Sequence, residues 1–300
     1  MSENQRRLEG CAFTPELTEL DFDRLVRQIG DQILERLQHK ANGSQREAAH
    51  CGCGTGAPEM RPGVSMPAAG DWEAPAQGIA GFIDHTLLKP GATGEEITRL
   101  CAEAREHGFA AVCVHPAWVA RAVRELRGST VKTATVAGFP HGATVTPAKC
   151  TETEQVLKLG ATEIDMVIHV GALKANDLDA VYCDIRAVVE LAHAAGALVK
   201  VILETALLND EQKIHGCVLA KLAGADFVKT STGFGLSGAD PHDVALMRRV
   251  VGPEMGIKAA GGIRSFEVFR QMMAAGATRI GASAGVSILR EAASARAQGT

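Results

Sequence analysis

The chain has 300 residues, of which 46% are hydrophobic and 22% are charged, with a formal net charge of −4. This composition is typical of globular proteins, and it excludes collagen-like, largely disordered and membrane-spanning classes because no apolar run reaches the roughly 18 residues of a bilayer span. The acidic balance and the 4% of aromatic residues argue against nucleic-acid binding, which needs basic patches and aromatic stacking platforms.

Residues 1–37 form an N-terminal extension with one predicted amphipathic helix. No hydrophobic block follows the basic residues of MSENQRRLEG, so we expect no secretory signal and a cytoplasmic location. The sequence DFDRLVRQIGDQILERLQ, with Asp21 as the predicted N-cap, places apolar residues on one helical face. These residues are Phe22, Leu25, Val26, Ile29, Ile33 and Leu37.

Two interpretations of this helix remain open. It can dock on its own barrel or in a dimer contact. Alternatively, it resembles the encapsulation peptides that direct enzymes into the lumen of bacterial microcompartments, in which case residues 18–38 would contact shell proteins. An amphipathic pattern alone does not distinguish these two roles.

Residues 38–78 are predicted to be a flexible linker. Their only Leu, Ile, Val or Phe is Val64, so the segment cannot bury enough apolar surface to offset the entropy of ordering. His50, Cys51 and Cys53 could ligate a metal, but no second ligand pair completes a tetrahedral site. We therefore expect no metal here.

Residues 79–300 alternate between β-rich apolar runs and helical patterns, which indicates βα units and a parallel sheet. Eight such units in about 220 residues favour a (β/α)₈ TIM barrel over an open doubly wound sheet. The predicted strands are residues 79–87, 110–116, 132–140, 163–171, 198–204, 226–233, 256–262 and 279–285.

Charged residues recur within these strands, where they are costly unless they have a partner or a task. Lys229 and Lys258 lie on the neighbouring strands six and seven, and Asp165 lies on strand four. A second cation and burial can lower the pKa of a lysine by several units, which produces the neutral amine that Schiff-base chemistry needs. The three side chains are therefore predicted to be catalytic, with Asp165 and Lys258 completing a proton-transfer set.

Four further residues are predicted to support this set. Asp84, Lys200 and Glu204 are charged residues of strands one and five, and we interpret them as partners of the catalytic groups. Cys113 on strand two faces the site or the core and is predicted to be a buried, inert thiol.

Small residues at the ends of strands six to eight predict a phosphate site. Barrels often bind phosphate with backbone N–H groups after strands seven and eight. The predicted donors are Thr232, Gly233, Gly261, Gly262, Ser283 and Ala284. The glycines Gly233, Gly235 and Gly238 match G-x-G-x-x-G, but the next strand carries Lys258 where a dinucleotide fold would carry an acidic residue, so we reject that interpretation.

In chain order, the motifs VCVHP, VAGFPHG, EIDMVI, KVILETALL, FVKTSTGF, IKAAGGIR and GAS resemble those of the deoxyribose-phosphate aldolases. The resemblance covers residues 79–290 and implies a class I aldolase that needs neither metal nor cofactor. It also implies that Lys229 forms the Schiff base, that Lys258 lowers the pKa of Lys229, and that Asp165 works with Lys258 as acid and base. His169 departs from the family pattern, in which Asn often stands here, and we expect it to be a hydrogen-bonded rim residue.

The expected reaction is the reversible cleavage of 2-deoxy-D-ribose 5-phosphate to D-glyceraldehyde 3-phosphate and acetaldehyde. A second hypothesis is a class I aldolase or transaldolase-like barrel that acts on another phosphorylated sugar. The expected partners are the small phosphorylated sugar and acetaldehyde, with no nucleic acid and no membrane. We also expect a homo-oligomer, with a dimer favoured.

Overall fold

The computed structural model describes residue 24, residues 26–36 and residues 78–298. The predicted linker therefore lies outside the described residues, except for Gly78. Phe22, Leu25 and Leu37 of the predicted helix also lie outside them.

Eight parallel strands form a closed barrel in which each strand pairs with its neighbours in the sequence and β1 pairs with β8. The predicted (β/α)₈ barrel is confirmed. The strands are β1 Ile83–Leu87, β2 Ala111–Val114, β3 Lys132–Ala137, β4 Glu163–Val167, β5 Leu198–Ile202, β6 Phe227–Lys229, β7 Gly256–Ala260 and β8 Arg279–Ala282.

Most predicted strands begin within a residue of the observed ones but extend too far at their C-terminal ends. The first prediction differs at its start, because Ile79–Phe82 form a 3₁₀ turn before β1. Residues 230–233 and 261–262 are loops at the C-terminal mouth of the barrel, although Thr230, Ser231 and Thr232 are buried like the strand before them. The sequence pattern cannot show where strand pairing stops when part of the following loop is also buried.

Helices surround the sheet, and several begin at side-chain caps. Thr93 and Glu96 form a capping box at α1, and Asn209 and Gln212 form another at α6. The helices are α1 Gly94–His107, α2 Val119–Glu125, α3 Thr146–Lys158, α4 Val170–Lys174, α5 Leu178–Ala194, α6 Asp210–Leu222, α7 Pro241–Val251, α8 Phe266–Ala274 and α9 Gly285–Gln298. Among the described residues, none of the helices is long and apolar enough to cross a membrane.

Alternation along the strands separates two layers of side chains. One set joins the large hydrophobic core between sheet and helices, with Val199 and Val201 of β5 as examples. The other set fills the barrel interior, where small residues leave room for long side chains. In β8, a Cβ at Gly281 would lie only 3.0 Å from Cε of Lys258. The glycine therefore leaves the space that this lysine side chain occupies in the barrel interior.

The N-terminal helix, residues 26–36, contacts the barrel. Ile33 is buried within the main hydrophobic core, and Val26 and Ile29 pack against that core. This contact favours the interpretation in which the helix docks on its own chain.

Candidate active site

Lys229, Lys258 and Asp165 meet inside the barrel. Nζ of Lys229 donates to Oδ2 of Asp165 at 2.8 Å, and Nζ of Lys258 donates to the same oxygen at 2.7 Å. The strand register places Lys229 beside Lys258 on β6 and β7. One carboxylate oxygen of β4 thus joins the two ammonium-bearing side chains.

Two more basic residues and two more acidic residues extend this cluster towards the N-terminal ends of the strands. Lys200 lies 2.6 Å from Glu163 and 2.8 Å from the second oxygen of Asp165. Asp84 lies 2.5 Å from Lys258 and 2.7 Å from Arg279. Arg279 also lies 3.3 Å from Glu163, so the network is continuous across six strands.

The charges of this cluster balance only when one basic residue is neutral. Its members are three carboxylates and four basic side chains, namely Asp84, Glu163, Asp165, Lys200, Lys229, Lys258 and Arg279. A buried net charge is costly, so the cluster favours loss of one proton. Within the described part of the chain, Lys200, Lys258 and Arg279 each form salt bridges with two or more carboxylates, whereas Lys229 forms one with Asp165 alone.

The pKa shifts distinguish Lys229 from the other basic residues of the cluster. Burial lowers the pKa of Lys229, and the Lys258 ammonium lowers it further, against the opposing effect of Asp165. Burial would also lower the pKa of Lys258, but Asp165 and Asp84 outweigh it and raise that pKa. For Asp165, burial is outweighed by Lys200, Lys229 and Lys258, which hold its pKa well below the ordinary value. The site thus combines a carboxylate, a lysine whose pKa is raised and a lysine whose pKa is lowered.

The segments predicted to bind phosphate lie at the C-terminal mouth. Gly261 and Gly262 follow β7 with φ angles of +88° and +78°, a conformation that favours glycine. Ser283 and Ala284 come directly before α9, where the first N–H groups of the helix lack intrahelical partners. Gly233 follows β6 and lies beside Gly261, since a Cβ at Gly233 would be 3.9 Å from Cα of Gly261.

Thr232 is also at this mouth, but its donors are already engaged. Its backbone N–H donates to Glu204 at 3.2 Å, and its hydroxyl donates to the same carboxylate oxygen. Glu204 therefore lies at the mouth and contacts the loop after β6, whereas Asp84 and Lys200 contact the catalytic cluster itself.

Cys113 is fully buried in the barrel interior, and burial raises the pKa of its thiol. It packs in a small apolar cluster with Leu88, Ala111, Ala134 and Val136. Its thiol is therefore protonated at neutral pH, which agrees with the predicted inert role. His169 caps α4, and its Nδ1 accepts a hydrogen bond from Ala172 N–H at 3.1 Å.

Sequence analysis missed Glu163 and Arg279 as members of the cluster. Both occupy the first position of their strands, β4 and β8. The available signal was spacing, because Glu163 and Asp165 are two residues apart and so lie on one face of β4. Arg279 could be assigned only once the barrel closed and brought β8 beside β1.

Comparison with known proteins identifies relatives over the barrel. A family model described as DeoC/LacD family aldolase matches residues 79–295. A protein from Geobacillus sp. (strain WCH70), named deoxyribose-phosphate aldolase, is 56% identical over 211 residues, which cover 70% of this chain and 94% of the relative. A protein of the same name from Thermococcus gammatolerans is 57% identical over 219 residues, with 72% and 97% covered.

Solved structures show the same similarity. A structure titled as the unique tetrameric structure of deoxyribose phosphate aldolase from Aeropyrum pernix has a TM-score of 0.71 and 37% identity, covering 76% of this chain and 96% of that one. An aldolase named QR15 has a TM-score of 0.69 and 35% identity, with 73% and 97% covered.

Proposed function

The chain belongs to the DeoC/LacD family of aldolases, and on this basis we propose that it reversibly cleaves 2-deoxy-D-ribose 5-phosphate to D-glyceraldehyde 3-phosphate and acetaldehyde. The observation that carries the proposal is the buried contact of Lys229 and Lys258 with one oxygen of Asp165. This arrangement suits covalent catalysis by an amine, and several curated relatives carry the same enzyme name.

In this proposal Lys229 is the nucleophile. Its neutral amine attacks the aldehyde carbon of the open-chain sugar, and the carbinolamine that forms takes up a proton from the site and loses water to give a protonated imine. The bond between C2 and C3 then breaks as the C3 hydroxyl loses its proton, and the electron pair moves into the imine to form an enamine. The enamine is neutral, so the reaction avoids a free carbanion.

Asp165 and Lys258 are the proposed proton-transfer groups. A proton must be added to the enamine carbon before water hydrolyses the imine, releases acetaldehyde and returns Lys229 to its amine form. Asp165 contacts both lysines, so it lies within hydrogen-bond reach of the groups that gain and lose protons. Lys200 donates to the other Asp165 oxygen and holds the carboxylate in place.

The phosphate of the sugar is proposed to bind backbone N–H groups of Gly233, Gly261, Gly262, Ser283 and Ala284. These residues surround one side of the mouth, above β6, β7 and β8. Binding at this remote group would orient the reacting carbons over Lys229 and contribute to the rate.

Reductive trapping tests the assignment of Lys229. Incubation with acetaldehyde and borohydride should add one ethyl group at Lys229, detected by mass spectrometry of the digested protein. Lys229→Leu should lose both the modification and the cleavage of deoxyribose 5-phosphate, while Lys89→Met, a change of an exposed lysine, should keep both. Retention of cleavage and trapping by Lys229→Leu would refute the proposal.

A panel of donors and phosphorylated sugars distinguishes this reaction from that of another class I aldolase or a transaldolase-like barrel. The proposed enzyme accepts acetaldehyde as the donor in the synthetic direction. Activity with a ketone donor and none with acetaldehyde would favour the second hypothesis.

Association with microcompartment shell proteins through residues 18–38 stays a hypothesis, and the burial of Ile33 in the barrel core argues for the docked interpretation instead. Fusion of residues 1–40 to a fluorescent protein tests it, since diffuse fluorescence in shell-producing cells would contradict targeting.

A homo-oligomer is also proposed, supported by the tetramer named for the Aeropyrum pernix relative. Light scattering after size-exclusion chromatography measures it.

A further inference from the structure

Glu204 has an unusual backbone conformation at the mouth of the barrel. It lies two residues after the end of β5, with φ +57° and ψ +61°. This left-handed region is unfavourable for a residue with a Cβ, so a non-glycine residue there needs compensating contacts. The side chain is only 4% exposed, although it carries a carboxylate.

Within the described residues, the hydrogen bonds of this carboxylate all come from one loop. Among those residues, the carboxylate accepts them from Thr232 alone, through the backbone N–H and the hydroxyl. The Thr232 oxygen in turn accepts a hydrogen bond from Phe234 N–H at 3.1 Å. The buried acceptor that follows β5 therefore holds the first part of the loop after the proposed Schiff-base lysine.

Two glycines of the same loop, Gly235 and Gly238, lie close to neighbouring groups on opposite sides of the loop. A Cβ at Gly235 would lie 2.8 Å from the Glu204 oxygen that has no hydrogen-bond partner among the described residues. A Cβ at Gly238 would lie 2.1 Å from the carbonyl oxygen of Gly261, which accepts a hydrogen bond from Ala239 N–H at 3.0 Å. The loop is thus held between Glu204 and the glycines after β7.

This arrangement decides which backbone donors remain available. The N–H groups of Thr232 and Phe234 are engaged within the loop, whereas Gly233 N–H, between them, has no hydrogen-bond partner among the described residues. We propose that Glu204 is a positioning residue that directs Gly233 N–H towards the substrate phosphate, beside Gly261. The inference rests on the proposed function, and it assigns Thr232 a supporting role in place of direct phosphate contact.

The kinetics of Glu204 variants test this inference with two substrates, deoxyribose 5-phosphate and deoxyribose. Glu204→Ala removes the acceptor, so KM for the phosphorylated sugar should rise about tenfold or more while kcat falls less than about threefold. The value of kcat/KM for deoxyribose, which has no phosphate, should stay within about threefold of the wild-type value.

Three further variants make the test specific. Glu204→Gln keeps an acceptor oxygen for Thr232 and should restore KM to within about threefold of the wild type. Gly235→Ala introduces a methyl group against the carboxylate and should raise KM for the phosphorylated sugar alone. Glu96→Ala removes a carboxylate that accepts from the N–H of Thr93 at 2.8 Å at an exposed helix start, so KM should not change.

Trapping of acetaldehyde at Lys229 reports whether each variant keeps its barrel. If Glu204→Ala does not fold, Gly235→Ala decides the question. An unchanged KM for the phosphorylated sugar in folded Glu204→Ala or Gly235→Ala, or an equal loss of kcat/KM for both sugars, would overturn the inference while leaving the aldolase intact. A wild-type protein that cleaves neither sugar and is not trapped would instead overturn the proposed function, and this inference with it.

Discussion

Replacement of Lys258 by Met should raise the pKa of Lys229 and shift the pH dependence of Schiff-base formation. The two ammonium nitrogens lie 2.8 Å and 2.7 Å from the same Asp165 oxygen, so they are at most about 5.5 Å apart. With an effective dielectric constant of about 20, two unit charges at that separation repel by about 3 kcal/mol. This repulsion corresponds to about 2 pKa units.

Removal of the Lys258 charge therefore decreases the neutral fraction of Lys229 at pH 7 by up to about 100-fold. Asp165 raises the pKa of Lys229 further in the variant, because its negative charge is then balanced by fewer cations. The rate of trapping by acetaldehyde and borohydride should fall at neutral pH and recover as the pH approaches the raised pKa.

The assay is the initial trapping rate, measured by mass spectrometry between pH 6 and pH 10. Lys258→Arg keeps a cation beside Asp165 and serves as the matched control, with a much smaller shift of the pH profile. If Lys258→Met shows the wild-type pH dependence of trapping, Lys258 does not control the protonation of Lys229, and the electrostatic argument is wrong.

Three other outcomes are expected. Asp165→Asn should lower kcat by about 10²–10⁴-fold in steady-state cleavage assays, because proton transfer is lost. A smaller loss would show that Asp165 is not the proton-transfer group. Arg279→Met removes a cation that contacts both Asp84 and Glu163, although Lys258 and Lys200 remain beside them. It should destabilise the fold by about 1.5–3 kcal/mol in denaturant titrations, while an unchanged midpoint would contradict the importance of the network. Burial opposes ionisation of Asp84, but Lys258 and Arg279 hold its pKa below the ordinary value, and the pKa of Asp165 is lowered as well. The stability that these groups contribute is therefore complete above about pH 4 and lost as the pH falls through the lower folded values, so the melting temperature should fall in acid, whereas a flat profile would refute the pairing.

Local patterns were sufficient to predict the barrel and the identity of the central residues. Alternation of apolar strands with helices repeats eight times, and the observed sheet closes with the strands in sequence order. Lys229, Lys258 and Asp165 could be found because a charge within a buried strand is visible in the sequence as an exception. The starts of strands two to eight were also predicted to within one residue, whereas the start of the first strand was not.

Other features depended on distant parts of the chain meeting in space. Lys149 and Asp184 form a buried ion pair between α3 and α5, but each occupies a helix in which a charged residue normally faces solvent. Glu204 looked like one more partner of the lysines, yet its side chain contacts the loop after β6. Burial of a helix face or a loop is decided by what packs against it, which the local sequence does not contain.

A parallel barrel with amines and a carboxylate on its inner strands is predictable from the amino-acid order, because periodicity and composition are local properties. The sharing of those charges depends instead on contacts between distant parts of the chain. Closure of β8 onto β1 brings Arg279 to Asp84, and the register of β4 to β7 gives Asp165 to both lysines. Those long-range contacts set the number of carboxylates beside each basic residue. Lys229 has the fewest, and its pKa is the one among the lysines of the cluster that is lowered.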